Sequence, residues 1–150
     1  MTIRVQTDDF DVGLELANLR LANPKIGAVV SFIGQVRDLN DAQIVQTLTL
    51  EHYAGMTEKA LLAIELEAKR RWNIIDSLII HRVGTLKPLD QIVLVAVSSA
   101  HRGEAFKACE FIVDFLKTKA PFWKKESTPT GERWVDAKLT DDAATASWKQ

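Results

Sequence analysis

The chain of 150 residues contains a single cysteine, Cys109, which excludes an internal disulfide framework and any zinc site built on cysteine pairs. Its three histidines, His52, His81 and His101, lie far apart and lack the short spacing of a helix-borne metal site. No metal and no other cofactor is expected. Charge of one sign is also lacking: 19 basic against 20 acidic side chains leave a formal balance of −1. A domain dedicated to nucleic acid or to an anionic membrane carries a clear basic surplus, so both classes are disfavoured. Long apolar runs are missing too. The stretches around Ile26 to Ile33 and Ile92 to Val97 are too short to span a bilayer. Met1-Thr2-Ile3-Arg4 opens an alternating segment rather than the basic and apolar regions of a secretory signal. With no Pro/Ser-rich linker or repeat, 47% hydrophobic and 26% charged residues predict one soluble domain over residues 1–150. A reducing, cytoplasmic setting is expected.

The elements follow from periodicity. Ile3 to Gln6 reads as a strand, and Asp11 to Leu21 as a helix with Leu14, Leu16, Leu19 and Leu21 apolar. Gly27 to Val36 and Ile44 to Tyr53 are rich in β-branched and aromatic residues and read as an antiparallel pair joined by Arg37 to Asp41. Thr57 to Trp72 repeats Leu61, Ile64, Ala68 and Trp72 at helical spacing, with Glu65 and the other charges on other faces. Asp76 to Val83 and Gln91 to Ser98 are near-continuously apolar strands, which implies burial on both faces. A helix from about His101 to Lys117 is expected to bury Phe106, Cys109, Val113 and Leu116, and Pro121 stops it. On that stripe Cys109 reads as a buried, inert thiol. Phe122 to Ser127 and Arg133 to Ala137 flank a hairpin turn, and the pattern fades into a polar tail after Leu139. Strand pairs with short connections predict an α+β fold with mainly antiparallel sheet.

The densest unusual segment runs from Lys117 to Lys125, with four lysines, Phe122 and Trp123, and no acid until Glu126. Two readings compete: a solvated basic corner, or an anion site. If Lys117 and Lys124 share a partly dry pocket, each raises the cost of charging the other, and one becomes able to exchange a proton near neutral pH. A second basic group, His101-Arg102, follows Ser99 where a strand gives way to a helix. Free N–H groups at a helix start attract phosphate or carboxylate. The competing reading makes Ser99 a helix cap and His101 a local hydrogen-bonding group. His101 and Lys117 stand at opposite ends of one helix, roughly 25 Å apart. A shared pocket would require a return strand or a second subunit. Gly34-Gln35-Val36-Arg37, leaving a strand, adds a third and weaker candidate, and His52 reads as structural.

Leu50 to Thr57, His81-Arg82-Val83-Gly84, Ser99 to Arg102 and Lys117 to Glu126 occur together in the order and at about the spacing of one family. From roughly Ile26 to Lys138 the chain resembles the catalytic (large) subunit of molybdopterin synthase. The resemblance implies a hammerhead-like fold and a sulfurtransferase of molybdenum cofactor biosynthesis. Its substrate would be cyclic pyranopterin monophosphate. Sulfur would come from the thiocarboxylated C-terminus of a small ubiquitin-like partner, and two transfers would give the molybdopterin dithiolene. It further implies a homodimer of large subunits with one small subunit at each end, a heterotetramer whose active sites draw on both large subunits. By position, Lys117 matches the lysine central to catalysis and Lys124 its basic companion. Arg37, His101 and Arg102 match positions that hold the pterin and its phosphate. Gln35, Val36, Lys125, Glu126 and Lys138 complete the expected substrate-binding set. Two positions depart from the pattern: Gln35 stands where many members carry a basic residue, and Lys138 where they carry arginine. Lysine supplies charge without the planar two-pronged grip.

A rival reading is a non-enzymatic module binding single-stranded nucleic acid, with Phe122 and Trp123 stacking on bases among the lysines. Near-zero net charge counts against it, and neither nucleic acid nor membrane is expected as a partner.

Overall fold

The computed structural model describes residues 1–135 and 139–149. In chain order the elements are β1 (Thr2–Gln6), α1 (Val12–Arg20), β2 (Ala28–Gln35), β3 (Leu39–Asn40), β4 (Gln43–Ile44), β5 (Thr47–His52) and α2 (Met56–Arg71). There follow β6 (Ile74–Arg82), β7 (Gly84–Leu86), β8 (Gln91–Ser99), α3 (Arg102–Lys119), β9 (Phe122–Thr128), β10 (Gly131–Val135) and α4 (Leu139–Ala146). One sheet has the order β1-β6-β8-β2, and a second has β10-β9-β5-β7. Only β1 and β6 run parallel among the described pairings, so the expected α+β fold with mainly antiparallel sheet is what forms.

Alternation along β6 and β8 explains their continuous apolar runs. Ile79, Val93, Val95 and Val97 pack with Leu61, Ile64, Ala68, Phe111 and Ile112 of α2 and α3. Leu78, Ile80, Leu94 and Ala96 point the other way and are covered by Phe10 and by Leu19 of α1. Each fully buried side chain of this size contributes about 1.5–3 kcal/mol relative to exposure. Asp11 starts α1 as an N-cap, its Oδ1 accepting from the Leu14 N–H at 3.0 Å. Leu14 and Leu21 are exposed, so α1 holds the sheet through Leu16 and Leu19.

Several sequence-based expectations are corrected. β2 does not pair with β5; it pairs with β8, while β5 lies between β7 and β9. The reason is local. Asp41 and Ala42 have φ of 49° and 62° and close β3 and β4 into their own two-residue hairpin, which diverts the chain into the second sheet. The buried row of α3 is Ala105, Ala108, Cys109, Ile112 and Leu116, with Phe111 beside it, and Phe106 is 61% exposed. Small alanines at 105 and 108 bring the helix close to the sheet, leaving no room for a phenylalanine on that row. The segment after Leu139 is helix α4, anchored by Trp148, whose ring meets Trp72 and Phe111 edge-on and whose Nε1 donates to Asp114 Oδ2 at 2.6 Å. Cys109 is buried as expected, its Sγ directed at the Val95 carbonyl, and burial pushes its thiol up to about 12.

Glu65 is not on an outer face of α2 but fully buried. Ser77 Oγ donates to its Oε1 at 2.9 Å, and Oε2 has no hydrogen-bond partner among the described residues. Burial raises its carboxyl from 4.5 to about 7, against the opposing hydrogen bond from Ser77. The folded state therefore prefers the protonated form. The stability this confers is complete below the unfolded value of 4.5 and is lost as pH rises through about 7. Denaturant unfolding across that window should show wild-type stability falling by on the order of 3 kcal/mol from this group. Glu65→Gln should flatten the profile and be the more stable protein at pH 8; an unchanged slope would show that Glu65 ionises freely in the fold.

Candidate active site

The end of β2, the C-terminal end of α3 and the start of β9 enclose a cavity of about 380 Å³ lined by Gln35, Val36, Arg37, Lys117, Lys124 and Glu126, among others. β2 delivers its part through a bulge between Gly34 and Gln35. A Cβ at Gly34 would lie 2.9 Å from Val93 Cγ1, so glycine permits the close packing there. Pro121 ends α3 and returns the chain as β9, which places Lys124 beside Lys117 on the cavity wall. A smaller cavity of about 80 Å³ adjoins the first and shares Gln35, Lys117, Phe122 and Lys124 with it. His81 lines only this inner space.

The charged groups differ in their commitments. Among the described residues neither Arg37 nor Lys117 has a hydrogen-bond or ion-pair partner. Glu126, by contrast, is buried and engaged: Asn40 Nδ2 donates to its two oxygens at 3.0 and 3.1 Å, and Arg133 Nε donates to Oε1 at 3.1 Å. Arg133 also donates to the Asn40 carbonyl at 2.8 Å. Glu126 thereby ties the β3–β4 hairpin against β9 and β10 and fixes one wall of the cavity. The next residue in the lysine segment faces elsewhere. Lys125 does not line the cavity; its ammonium lies 3.6 Å from Glu132 and 5.7 Å from the Trp134 ring centroid. Lys138 lies outside the described residues.

His101 and Arg102 are not brought to this cavity by the same chain. They sit at the other end of α3, in an open concavity of about 470 Å³ with Gly27, Ala28, Ala100 and Gly103. A Cβ at Gly27 would fall 2.3 Å from the Ala100 carbonyl oxygen, so only glycine allows β2 to begin there. Ser99 does not cap the helix. His101 is the N-cap and makes no side-chain capping bond, while Ser99 Oγ donates to the Asn73 carbonyl at 2.8 Å. The first N–H groups of α3, with Arg102 beside them, form an anion-attracting corner.

The stacking platform expected by the nucleic-acid reading is not built. Phe122 stacks on buried His81, whereas Trp123 lies on the opposite face of β9 against exposed Tyr53. No group of three or more His, Cys, Asp or Glu able to hold a metal ion occurs among the described residues. Nor is any described helix long and apolar enough to cross a membrane. Sequence reasoning missed Asn40 and Arg133. Arg133 was recoverable, because a turn closing Thr128 on Gly131 sets it directly opposite Glu126; Asn40 carried no signal.

Comparison with known proteins gives concordant results. The MoaE protein family model matches residues 5–119. The molybdopterin synthase catalytic subunit of Ralstonia nicotianae is 65% identical over 147 residues, 98% of this chain and 84% of that protein. Its counterpart in Pseudomonas aeruginosa is 53% identical over the whole of both chains. Among solved structures, the molybdopterin biosynthesis MoaE protein from Burkholderia ambifaria superposes with a TM-score of 0.84 at 64% identity, covering 98% of this chain and 97% of that one. With the family model spanning most of the chain and the fold matching throughout, the chain belongs to the MoaE family of molybdopterin synthase catalytic subunits.

Proposed function

We propose that the 380 Å³ cavity is the sulfur-transfer site of a molybdopterin synthase catalytic subunit. The observation that carries this reading is the convergence of Lys117, Lys124 and Arg37 on one cavity, with Lys117 and Arg37 unengaged by described residues. The substrate is cyclic pyranopterin monophosphate, and the sulfur donor is the thiocarboxylated C-terminal tail of a small ubiquitin-like partner. Arg37 meets the phosphate or the tail, each an anion. Lys124 stabilises negative charge that develops as sulfur adds to the pterin. Lys117 moves the protons needed when the phosphate ester opens and when water returns the tail as a carboxylate.

His101 and Arg102 complete the site from the other subunit of a homodimer, gripping phosphate at the start of α3. Their distance from Lys117 within one chain supports this arrangement. The single domain over 1–150 and a cytoplasmic location belong to the same reading.

Mixing the chain with thiocarboxylated small partner and the cyclic pterin should yield dithiolene product, detected as molybdopterin or its fluorescent oxidation product. Verified partner and substrate giving no product would overturn the assignment.

A further inference from the structure

His81-Arg82-Val83-Gly84 contains a side chain to which sulfur transfer, as described, gives no task. His81 is 2% exposed and stands one residue from the end of β6, on the side of the sheet covered by α3. Its Nδ1 lies 2.8 Å from the Arg82 carbonyl oxygen. A carbonyl only accepts, so Nδ1 carries the proton and Nε2 is left with a lone pair. Phe122 covers one face of the ring, with centroids 3.7 Å apart and planes inclined by 14°. Burial, and then the nearby Lys124 and Lys117 ammonium groups and His52, push the imidazole down to about 3 despite the Arg82 bond. The ring is neutral throughout the working range.

Nε2 accepts from no described residue, and Lys117 donates to none. An acceptor without a donor and a donor without an acceptor therefore line the same 80 Å³ cavity, whose other walls include Phe32, Val93, Val95 and Leu116. Lys117 is itself exposed, so its ammonium is not held elsewhere and can turn inward, where the His81 lone pair is an acceptor on the same cavity wall.

We propose that His81 is a positioning residue for Lys117, its unprotonated Nε2 accepting a hydrogen bond from the Lys117 ammonium and fixing that group where the two cavities adjoin. The proposal rests on Lys117 being the proton-moving group of sulfur transfer. A carboxylate would orient the lysine as well, but its charge would hold the proton on the lysine. A neutral imidazole orients the ammonium and leaves the proton transferable. The carboxylates of the outer cavity suit this division: Glu126 is committed to Asn40 and Arg133, and Asp141 lines only the outer space.

Two variants separate acceptor from filler. His81→Phe keeps a ring to stack on Phe122 and removes the acceptor, whereas His81→Gln keeps an acceptor near the position of Nε2. In the reconstituted complex, His81→Phe should lower kcat by about tenfold or more with KM for the pterin and Kd for the small partner within about twofold of wild type, and His81→Gln should recover most of the loss. Equal loss in both variants, or wild-type kcat in His81→Phe, overturns the proposal. A second measurement is independent of turnover and of the folding of either variant. In the complex with unactivated partner, the ¹⁵N resonance of His81 Nε2 should shift when Lys117 is replaced by Met; an unmoved resonance also overturns it. If wild-type protein transfers no sulfur, the functional assignment fails, while the resonance still reports on the His81–Lys117 contact.

Discussion

Lys117→Ala should reduce sulfur transfer by about 10²- to 10⁴-fold, the range expected when a positioned proton-transfer group is lost, while the small partner still binds within a few-fold of its normal affinity. Lys117 lies in the last turn of α3, is exposed and has no described partner, so little of the fold depends on it. Alanine is a good helix former, and the loss of one cation near a helix C-terminus costs only about 0.3–1 kcal/mol. The variant should therefore unfold close to the wild-type temperature, and a lost rate cannot be blamed on lost protein. Lys117→Arg sharpens the test. Arginine preserves the charge but does not release its proton near neutral pH. If Lys117 only neutralises phosphate, the arginine variant keeps its rate; as a proton-transfer group it does not. Product formation by Lys117→Ala at more than a tenth of the wild-type rate would remove Lys117 from its assigned role.

An equimolar mixture of two inactive variants should regain activity if each site is shared between subunits. Arg102→Ala removes the proposed phosphate grip at the start of α3, and Lys117→Ala disables the opposite end, roughly 25 Å away along the helix. Each homodimer then lacks one half of both its sites. In a heterodimer the two lesions fall into the same site, leaving the other intact. Random exchange places half the chains in heterodimers, so recovery should reach about one quarter of wild-type activity. A site formed within one chain recovers nothing on mixing, because both lesions stay with their own subunits. The experiment needs exchange of subunits, brought about by mild denaturation and refolding of the mixture. No recovery after verified exchange would overturn the shared site and leave His101 and Arg102 without their proposed role.

Elements with strong periodicity were legible in the sequence. The alternation in β6 and β8 follows directly from burial on both faces, and α3 ends two residues before Pro121 as that residue requires. Pairing was less legible. Whether β2 joins β5 depended on how residues 37–46 turn, and left-handed backbone at Asp41 and Ala42 has only a weak signature outside the favoured Asn-Gly and Asp-Gly turns. The buried side of α3 was misjudged at Phe106 because alanines at 105 and 108 carry little hydrophobic weight yet permit the closest approach. Glu65 shows the same limit from the other side, since a carboxyl on an amphipathic helix is normally solvated. At the site, the lysines drew notice through their density, and the placement of Lys117 and Lys124 together needed only the turn at Pro121. Asn40 and the link between Glu126 and Arg133 depend on which strands meet, which charge patterning does not encode.

Cys109 has a meaning beyond packing. A protein receiving sulfur from a thiocarboxylate is exposed to acyl-transfer and exchange chemistry for which a thiolate is the natural competitor. Here the chain's one thiol is covered by the sheet and pushed up to about 12, so its thiolate is scarce at neutral pH. The wall of the proposed site accordingly presents lysine and arginine, and no thiol among its lining residues competes with them for activated sulfur. The same shielding means that thiol-directed reagents can trap a thiocarboxylate on the partner while leaving this subunit untouched.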